Sequence, residues 1–371
     1  MKKLRIAVIG AGHLGRIHTR LLNSMDEVQL VGVVDPVKES REKVAAEFQT
    51  KPFASHADVI DKIDAAIVAA PTQLHHRIGL DLLARGKHVL IEKPLALSTG
   101  ECNDLVMASH AHKCVLQVGH VERFNPALTA VQDKLLHPKY IEATRASGYT
   151  FRSIDVGVVL DLMIHDIDIV LSLTGAEVTD VKAMGMNVFG PHEDLAHARL
   201  GFSNGCVANL KASRVNFHAT RTMQVFAERS YAEIDFAAGK ARLVTPAESI
   251  LHREIDVFNV DDQQHDEIKN NLFETFLKQE DIQVEARNAI LDEQYDFLLS
   301  IETGRQPTVA GEQGRDALAV ADWILDEIAV HRWNGTHTGP IGPDATPSES
   351  LQRSRMQSPE RPRQGIRRKA G

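Results

Sequence analysis

The stretch Leu4–Ile9 followed by Gly10-Ala11-Gly12-His13-Leu14-Gly15 decides the fold class of this chain. Leu4–Ile9 is a short and mainly apolar run, which is typical of a strand buried on both faces of a parallel sheet. Three glycines follow at the spacing G-x-G-x-x-G, and the residues after them have apolar side chains at helical spacing. A strand, a glycine-rich turn and a helix in this order predict a βα unit that binds phosphate at the helix N-terminus.

The three glycines have separate expected roles in binding a dinucleotide. The first permits the tight turn, the second lets the backbone approach a pyrophosphate, and the third lets the helix pack closely on the strand. The residues between them should contact the same ligand. The residues predicted to bind the cofactor at this turn are Gly10, Gly12, His13, Leu14 and Gly15.

Asp35 identifies the dinucleotide. It follows Gly15 by about 20 residues, at the end of the second predicted strand, where an acidic side chain accepts hydrogen bonds from the adenosine ribose. Its carboxylate would also repel a 2′-phosphate, and no Arg or Lys immediately follows it. The sequence therefore predicts NAD rather than NADP as the cofactor.

Strands and helices alternate up to about residue 120. The predicted strands after Leu4–Ile9 are Val28–Val34, Ala65–Ala70, His88–Ile91 and Val115–Val118, with helices between them. This alternation predicts a parallel, doubly wound α/β sheet with helices on both faces. We therefore expect a cofactor-binding domain over residues 1–120.

The pattern changes after residue 120. Helices are predicted at Pro126–Leu136, Val158–Leu173, His265–Glu302 and Gln313–Arg332, and short consecutive strands fill Glu177–Val260. Consecutive strands indicate a largely antiparallel sheet. We expect an α+β domain with an open sheet over residues 121–334, used for substrate binding and oligomerisation. Its C-terminal helices, within residues 265–332, should pack partly on the first domain.

Composition excludes several classes of protein. The 371 residues include three cysteines and carry a net charge of −8, so neither a disulfide framework nor nucleic-acid binding by the whole body is expected. No apolar run reaches the roughly 18 residues of a membrane span. We expect a cytoplasmic protein. Residues 335–371 have few large apolar side chains, and we expect a disordered basic tail there.

Ionisable residues cluster at two further places. Pro71-Thr72 and Glu92-Lys93-Pro94 each follow a predicted parallel strand, so they should lie at the edge of the sheet where such folds bind ligands. Asp161, His165 and Asp168 have the spacing i, i+4, i+7 and would share one face of a helix. From these three residues alone, the face could be catalytic, solvent-exposed or metal-binding, or His165 could be a satisfied core residue.

In combination these motifs resemble the Gfo/Idh/MocA family of oxidoreductases over roughly residues 1–330. The resemblance rests on Gly10-x-Gly12-x-x-Gly15, Asp35, Pro71-Thr72-x-x-His75, Glu92-Lys93-Pro94, Val118-Gly119 with Arg123-Phe124-x-Pro126, and Asp161-x-x-x-His165. It implies a Rossmann domain, an α+β domain whose open sheet often forms the oligomer interface, and NAD(P)-linked hydride transfer on sugars or cyclitols. A homodimer or homotetramer is therefore expected.

The resemblance also implies roles for single residues. Lys93, Asp161 and His165 would be the catalytic set, with either Lys93 or His165 as the acid/base, and no metal is implied. Pro71, Thr72, His75, Glu92 and Lys93 would complete the cofactor site. The residues expected to contact the substrate are His120, Glu122, Arg123, Arg152 and Asp168.

The segments Val118–Pro126 and Asp161–Asp166 look most similar to family members that oxidise the 3-hydroxyl of UDP-N-acetylglucosamine. Arg123 and Arg152 would then be candidates to bind the diphosphate, although both could equally be ordinary salt-bridge partners. Three alternatives stay open: a dehydrogenase of a free sugar or cyclitol, an NAD-dependent glycosidase, and a non-catalytic NAD-sensing regulator.

Overall fold

The structure is a computed structural model that describes residues 3–151, 156–189 and 191–331. Arg152 and the predicted basic tail at 335–371 lie outside the described residues. The described helices include none with both the length and the apolar character that a membrane crossing requires.

Six parallel strands form the first sheet. They are β1 (Leu4–Ile9), β2 (Val28–Val34), β3 (Pro52–Phe53), β4 (Ala65–Val68), β5 (His88–Glu92) and β6 (Leu116–Gly119). The connecting helices are α1 (His13–Asn23), α2 (Lys38–Glu47), α3 (His75–Ala84) and α4 (Thr99–His112). The strand order is β3-β2-β1-β4-β5-β6, so the connections change direction between β1 and β4. This confirms the predicted doubly wound Rossmann fold, whose ligands bind at such a switch point.

Eight strands form a second sheet. They are β7 (Tyr140–Ala146), β8 (Val178–Met186), β9 (Leu195–Phe202), β10 (Val207–Ser213), β11 (Thr220–Phe226), β12 (Tyr231–Asp235), β13 (Lys240–Pro246) and β14 (Leu277–Ile282). Their order is β14-β13-β12-β11-β7-β10-β9-β8. Neighbouring strands are antiparallel except β7 and β10, which are parallel. The predicted open, largely antiparallel sheet is therefore confirmed.

The remaining described helices all follow β6 in the chain. They are α5 (Pro126–Thr129), α6 (Ile164–Thr174), α7 (Glu248–Leu251), α8 (Asp262–Asn270), α9 (Ala289–Thr303) and α10 (Gly311–Val330). A π-helical turn, Val159–Met163, leads directly into α6. Helix α6 ends at Gly175, which has a left-handed backbone with φ 57°.

Two predicted helices are wrong in part. Pro126–Leu136 is not one helix, because α5 stops at Thr129 and the chain then turns. Val131 and Leu135 are thereby buried in the apolar core beneath the second sheet. His265–Glu302 is interrupted by β14, which pairs with β13 from Pro246 opposite Leu277 to Ala241 opposite Ile282. In both segments tertiary packing or strand pairing overrides local helical preference.

The two C-terminal helices bind the domains together. Phe297 of α9 is fully buried in the core under the first sheet. Gly314 of α10 packs so closely on Val118 of β6 that an added Cβ would lie 2.6 Å from the Val118 Cγ2 atom, while Ile324 of the same helix lies in the second core. This packing fixes the second domain against the carboxyl ends of the first sheet.

Candidate active site

The glycine turn has the geometry that a pyrophosphate requires. Gly10 has φ 109°, a conformation that L side chains rarely adopt, and an added Cβ on Gly15 would overlap the carbonyl oxygen of Gly10. An added Cβ on Gly12 would meet nothing within 4 Å. His13 and Leu14 are exposed at the start of α1. The turn is therefore closed on its protein side and open on the side where a ligand would lie.

Asp35 stands beside this turn at the end of β2. Its Oδ2 atom accepts a hydrogen bond from the Ala11 N–H at 2.9 Å, and its Oδ1 atom accepts one from the Val37 N–H at 2.8 Å. A carboxylate has about four lone-pair sites, so each oxygen can accept a further bond from a ribose hydroxyl. The open glycine turn and the acidic side chain together fit NAD.

His75 connects the two loops that follow β4 and β5. Its Nδ1 atom lies 3.0 Å from the Pro94 carbonyl oxygen and its Nε2 atom lies 2.7 Å from the Ala70 carbonyl oxygen. Burial lowers the pKa of His75. The structure thus places His75 beneath these loops, where it positions the exposed Pro71 and the partly exposed Thr72.

Lys93 links the first domain to the second. Its Nζ atom donates to the carbonyl oxygen of Asp161 at 2.8 Å and lies 3.5 Å from the Asp161 Oδ1 atom. Lys93 directly follows β5, whereas Asp161 belongs to the π-helical turn before α6. Both side chains are partly exposed, so a cation and a carboxylate meet at the accessible boundary between the domains.

His165 lies in the first turn of α6. Burial lowers its pKa well below the ordinary value, and the nearby charges of Lys93 and Arg145 lower the pKa further. Its Nδ1 atom is buried and has no hydrogen-bond partner within the described part of the chain. The imidazole is therefore neutral near pH 7 and can accept a proton.

Two further predicted site residues lie next to His165. The ring of His120 is edge-on to the His165 ring, with centroids 6.3 Å apart, and burial lowers the pKa of His120. Asp168 is buried and lies 3.5 Å from the Arg123 Nη1 atom. Arg123 also donates to the Thr308 carbonyl oxygen and is itself mostly buried. The structure brings His120 and Asp168 to the site but gives Arg123 internal partners.

A buried ion-pair network, which sequence reasoning missed, supports these residues. Arg145 of β7 donates to the Glu122 Oε1 atom at 2.6 Å and to the Asp166 Oδ1 atom at 2.8 Å. Glu122 also accepts from the Asn125 side chain at 3.0 Å. Glu122, expected to contact substrate, is thus 9% exposed and bound to Arg145. Arg145 alternates with Ile141 and Ala143 on the buried face of β7, and this alternation was the available signal.

Glu92, expected in the cofactor site, belongs to a second buried cluster. Its Oε1 atom lies 2.7 Å from the His18 Nε2 atom. Although burial alone would raise the pKa of Glu92, its hydrogen bond to His18 and the charges of His18 and Lys93 hold that pKa below its ordinary value. Burial raises the pKa of the neighbouring Glu293 well above its ordinary value, and the charge of Glu92 raises it further.

The buried cluster also has the composition of a metal site. Ligand atoms of His18, Glu92 and Glu293 lie within 4.8 Å of one another. The direct bond between His18 and Glu92 and the raised pKa of Glu293 both reduce the negative charge of this cluster. Glu92 directly precedes Lys93 in the chain, so its buried bond to His18 supports the loop that carries Lys93 from within the protein.

Arg221 is a second residue that sequence reasoning missed. It lies on β11 directly opposite Arg145 and is exposed. Its positive charge also lowers the pKa of His165. Arg221 is thus a cation near His165. Only the pairing of β7 with β11 brings it there, because both strands are far from α6 in the sequence.

These features define a class. A Rossmann domain whose switch point meets a lysine, an aspartate and a histidine is the arrangement of a nicotinamide-dependent oxidoreductase. Residues 4–120 match the family described as "Oxidoreductase family, NAD-binding Rossmann fold", and residues 129–233 match the "GFO/IDH/MocA C-terminal domain". The chain belongs to the Gfo/Idh/MocA family, and its first domain binds NAD.

Relatives of known activity are similar over much of their length. UDP-N-acetylglucosamine 3-dehydrogenase of Acidithiobacillus ferrooxidans is 39% identical to this chain, over 64% of this chain and 75% of the length of that enzyme. The superposition on a solved structure of that enzyme covers 88% of this chain and 98% of the enzyme's chain, with a TM-score of 0.77 and 33% sequence identity. The NAD-dependent scyllo-inositol 2-dehydrogenase of Bacillus subtilis is 30% identical to this chain, over 58% of this chain and 68% of the length of that enzyme.

The glycine turn gives a paired prediction. Gly15→Ala should lower the free energy of unfolding by about 2 kcal/mol or more, because its Cβ overlaps the Gly10 carbonyl oxygen. Gly12→Ala should leave stability within about 1 kcal/mol and weaken NAD binding at least about tenfold, because its methyl group enters the space that the pyrophosphate would occupy. Urea unfolding and NAD titration measure the two effects, and equal NAD affinity in Gly12→Ala and wild type would contradict the assignment.

Glu293 gives a prediction for stability against pH. Its raised pKa means that the folded protein keeps a proton that the unfolded chain loses, so this residue lowers stability as the pH rises above about 4.5. Glu293→Gln should therefore gain stability relative to wild type as the pH rises above about 5, by up to about 1.4 kcal/mol per pH unit, until Glu293 ionises in the folded protein.

Urea unfolding at several pH values measures this difference. Glu302→Gln, at an exposed position on the same helix, is the matched control and should show no such trend. A Glu293→Gln difference that does not vary with pH, or a wild type stabilised by added divalent metal and not by protons, would contradict the protonated state.

Proposed function

We propose that this chain is an NAD-dependent dehydrogenase that oxidises a secondary hydroxyl of a nucleotide sugar, at C3 of UDP-N-acetylglucosamine. The contact between Lys93 and Asp161 beside the neutral His165 is the observation that carries the proposal. The substrate is inferred from the relative that is 39% identical. A cytoplasmic homodimer or homotetramer is part of the same proposal.

The catalytic residues divide the work between proton and charge. Bound NAD supplies the acceptor for the hydride that leaves the substrate carbon. His165, as a neutral imidazole, takes the hydroxyl proton. The ammonium of Lys93 stabilises the negative charge that develops on the same oxygen, and Asp161 holds that ammonium in place. The products are a ketone, NADH and a proton.

Oxidation of a free sugar or cyclitol is the second candidate, because the Bacillus subtilis relative at 30% identity is an inositol dehydrogenase. The same three residues would perform that reaction. The two candidates differ in what surrounds the reacting hydroxyl, since only a nucleotide sugar carries a diphosphate and a base.

A substrate panel tests the proposal. Purified protein with NAD should produce NADH from UDP-N-acetylglucosamine. The rate of NADH formation should be much lower with the same concentration of N-acetylglucosamine, glucose or inositol. Turnover of inositol alone would replace the proposal with the second candidate. Release of a free sugar without net NADH would identify a glycosidase, and NAD binding without turnover of any sugar would identify a regulator.

The neutral state of His165 predicts the pH profile. Because its pKa lies well below the ordinary histidine value, the rate should stay high at pH 6.5 and fall only at lower pH, where His165 gains a proton. His165→Asn should lower kcat by about 10²–10⁴-fold and remove this acid limb. His76→Asn, on an exposed helix face, is the control and should keep both rate and profile.

Steady-state kinetics across pH measure these quantities. A wild-type acid limb at or above pH 6.5, or a His165→Asn variant that keeps the acid limb, would contradict His165 as the base. The second outcome would instead favour Lys93 in that role.

A further inference from the structure

Arg221 is an exposed residue of β11. Its side chain makes no hydrogen bond or ion pair with any residue in the ranges 3–151, 156–189 and 191–331. Side chains alternate along a strand, so Arg221 projects from the same face of β11 as Met223 and Val225, both of which are fully buried in the core. The guanidinium therefore extends from the inner face of the sheet, on the side of α6, and reaches solvent.

A second arginine, Arg145, lies opposite Arg221 across the pairing of β7 with β11. The buried carboxylates of Glu122 and Asp166 are hydrogen-bonded to Arg145, and no carboxylate in the described ranges forms an ion pair with Arg221. The positive charge of Arg221 is among the charges that lower the pKa of the buried His165, and it opposes the rise that burial causes in the pKa of Asp166. A cation that is unneutralised and close to the base is suited to an anionic part of the substrate.

Exposed aromatic rings follow the end of β7 that pairs with the start of β11. Ala146, the last residue of β7, pairs with Thr220 at the start of β11, and Tyr149 and Phe151 follow a few residues later. The Tyr149 ring contacts the rings of Phe151 and Phe189, with centroids 4.9 and 4.6 Å away. Phe151 and Phe189 are 78% and 68% exposed. We name Tyr149, Phe151 and Phe189 the aromatic cluster.

Large exposed aromatic groups are unusual on a surface that contacts only water, and such rings are common platforms for nucleobases. Phe151 also has φ 56°, a conformation that is rare for a bulky residue. The segment after Phe151 leads to the π-helical turn that carries Asp161, so the aromatic cluster adjoins the catalytic segment in the chain.

We propose that Arg221 binds the diphosphate of a nucleotide-sugar substrate and that the aromatic cluster contacts its base. This inference rests on the proposed function and assigns the part of the substrate that a free sugar lacks. It also replaces Arg123 in the diphosphate role, because Arg123 is mostly buried and bound to Asp168 and the Thr308 carbonyl oxygen.

The test measures ligand binding and kinetics separately, on the full chain loaded with NAD. The ligands are uridine diphosphate, uridine, UDP-N-acetylglucosamine and N-acetylglucosamine. The variants are Arg221→Ala, Arg221→Lys and Phe189→Ala. Arg229→Ala is the matched arginine control, since Arg229 lies beyond the other end of β11 in a surface pair with Glu248. Phe258→Ala, at a position 93% exposed, is the aromatic control.

Each variant has its own expected signature. Arg221→Ala should weaken uridine diphosphate binding about tenfold or more and raise KM for the nucleotide sugar similarly, with uridine binding unchanged. Arg221→Lys should recover part of this loss, because lysine keeps the charge but not the bidentate geometry. Phe189→Ala should weaken uridine and uridine diphosphate alike, by about fivefold or more.

The outcomes separate this inference from the proposed function. Oxidation of the nucleotide sugar with the same KM in Arg221→Ala and Arg229→Ala would overturn the inference and leave the function intact. Binding of uridine diphosphate that depends on Arg221, without oxidation of any nucleotide sugar, would support the binding site and overturn the proposed function. Failure of wild type to bind uridine diphosphate or to turn over nucleotide sugars would overturn both. Circular dichroism and NAD affinity confirm that each variant is folded.

Discussion

The geometry of the site depends on the buried guanidinium of Arg145. From the centre of the second sheet it binds Asp166, which adjoins His165 on α6, and Glu122, which lies two residues after His120. One cation thus holds both imidazoles and joins the end of the first domain to the second. Loss of one partner from such a buried pair costs about 3–5 kcal/mol, because the remaining charge stays in the interior. The network is therefore a scaffold for the reacting groups.

The polar interior beside this scaffold is costly to the fold. Both ring nitrogens of His120, the Nδ1 atom of His165 and the Oδ2 atom of Asp168 are buried without a hydrogen-bond partner in the described ranges. Each such atom costs about 1–3 kcal/mol. The apolar cores on either side, with Phe297 under one sheet and Ile324 under the other, offset that cost. Unsatisfied polar groups concentrated at one place are typical of a site whose partners arrive with a ligand.

Features that depend on residues close together in the sequence could be predicted, whereas features that depend on residues far apart in the sequence could not. Gly10, Gly12, Gly15 and Asp35 lie in one βα unit, and their local spacing sufficed to predict the Rossmann fold and NAD. The helix predicted across His265–Glu302 failed because β14 is made by pairing with β13, more than thirty residues away. Arg145 and Arg221 were missed for the same reason, since only the register of β7 and β11 places them beside α6.

The electrostatics favour His165 over Lys93 as the base. Burial and the surrounding cations stabilise the neutral form of the imidazole, which is the form that can accept a proton. The Nζ atom of Lys93 instead donates to the carbonyl oxygen of Asp161 and lies near its carboxylate, so its hydrogens are directed at these two acceptors. The ammonium in turn helps to keep the imidazole neutral. A charge that the first domain supplies thus acts on an imidazole of the second, and the contact of Lys93 with Asp161 between the two domains makes this coupling possible.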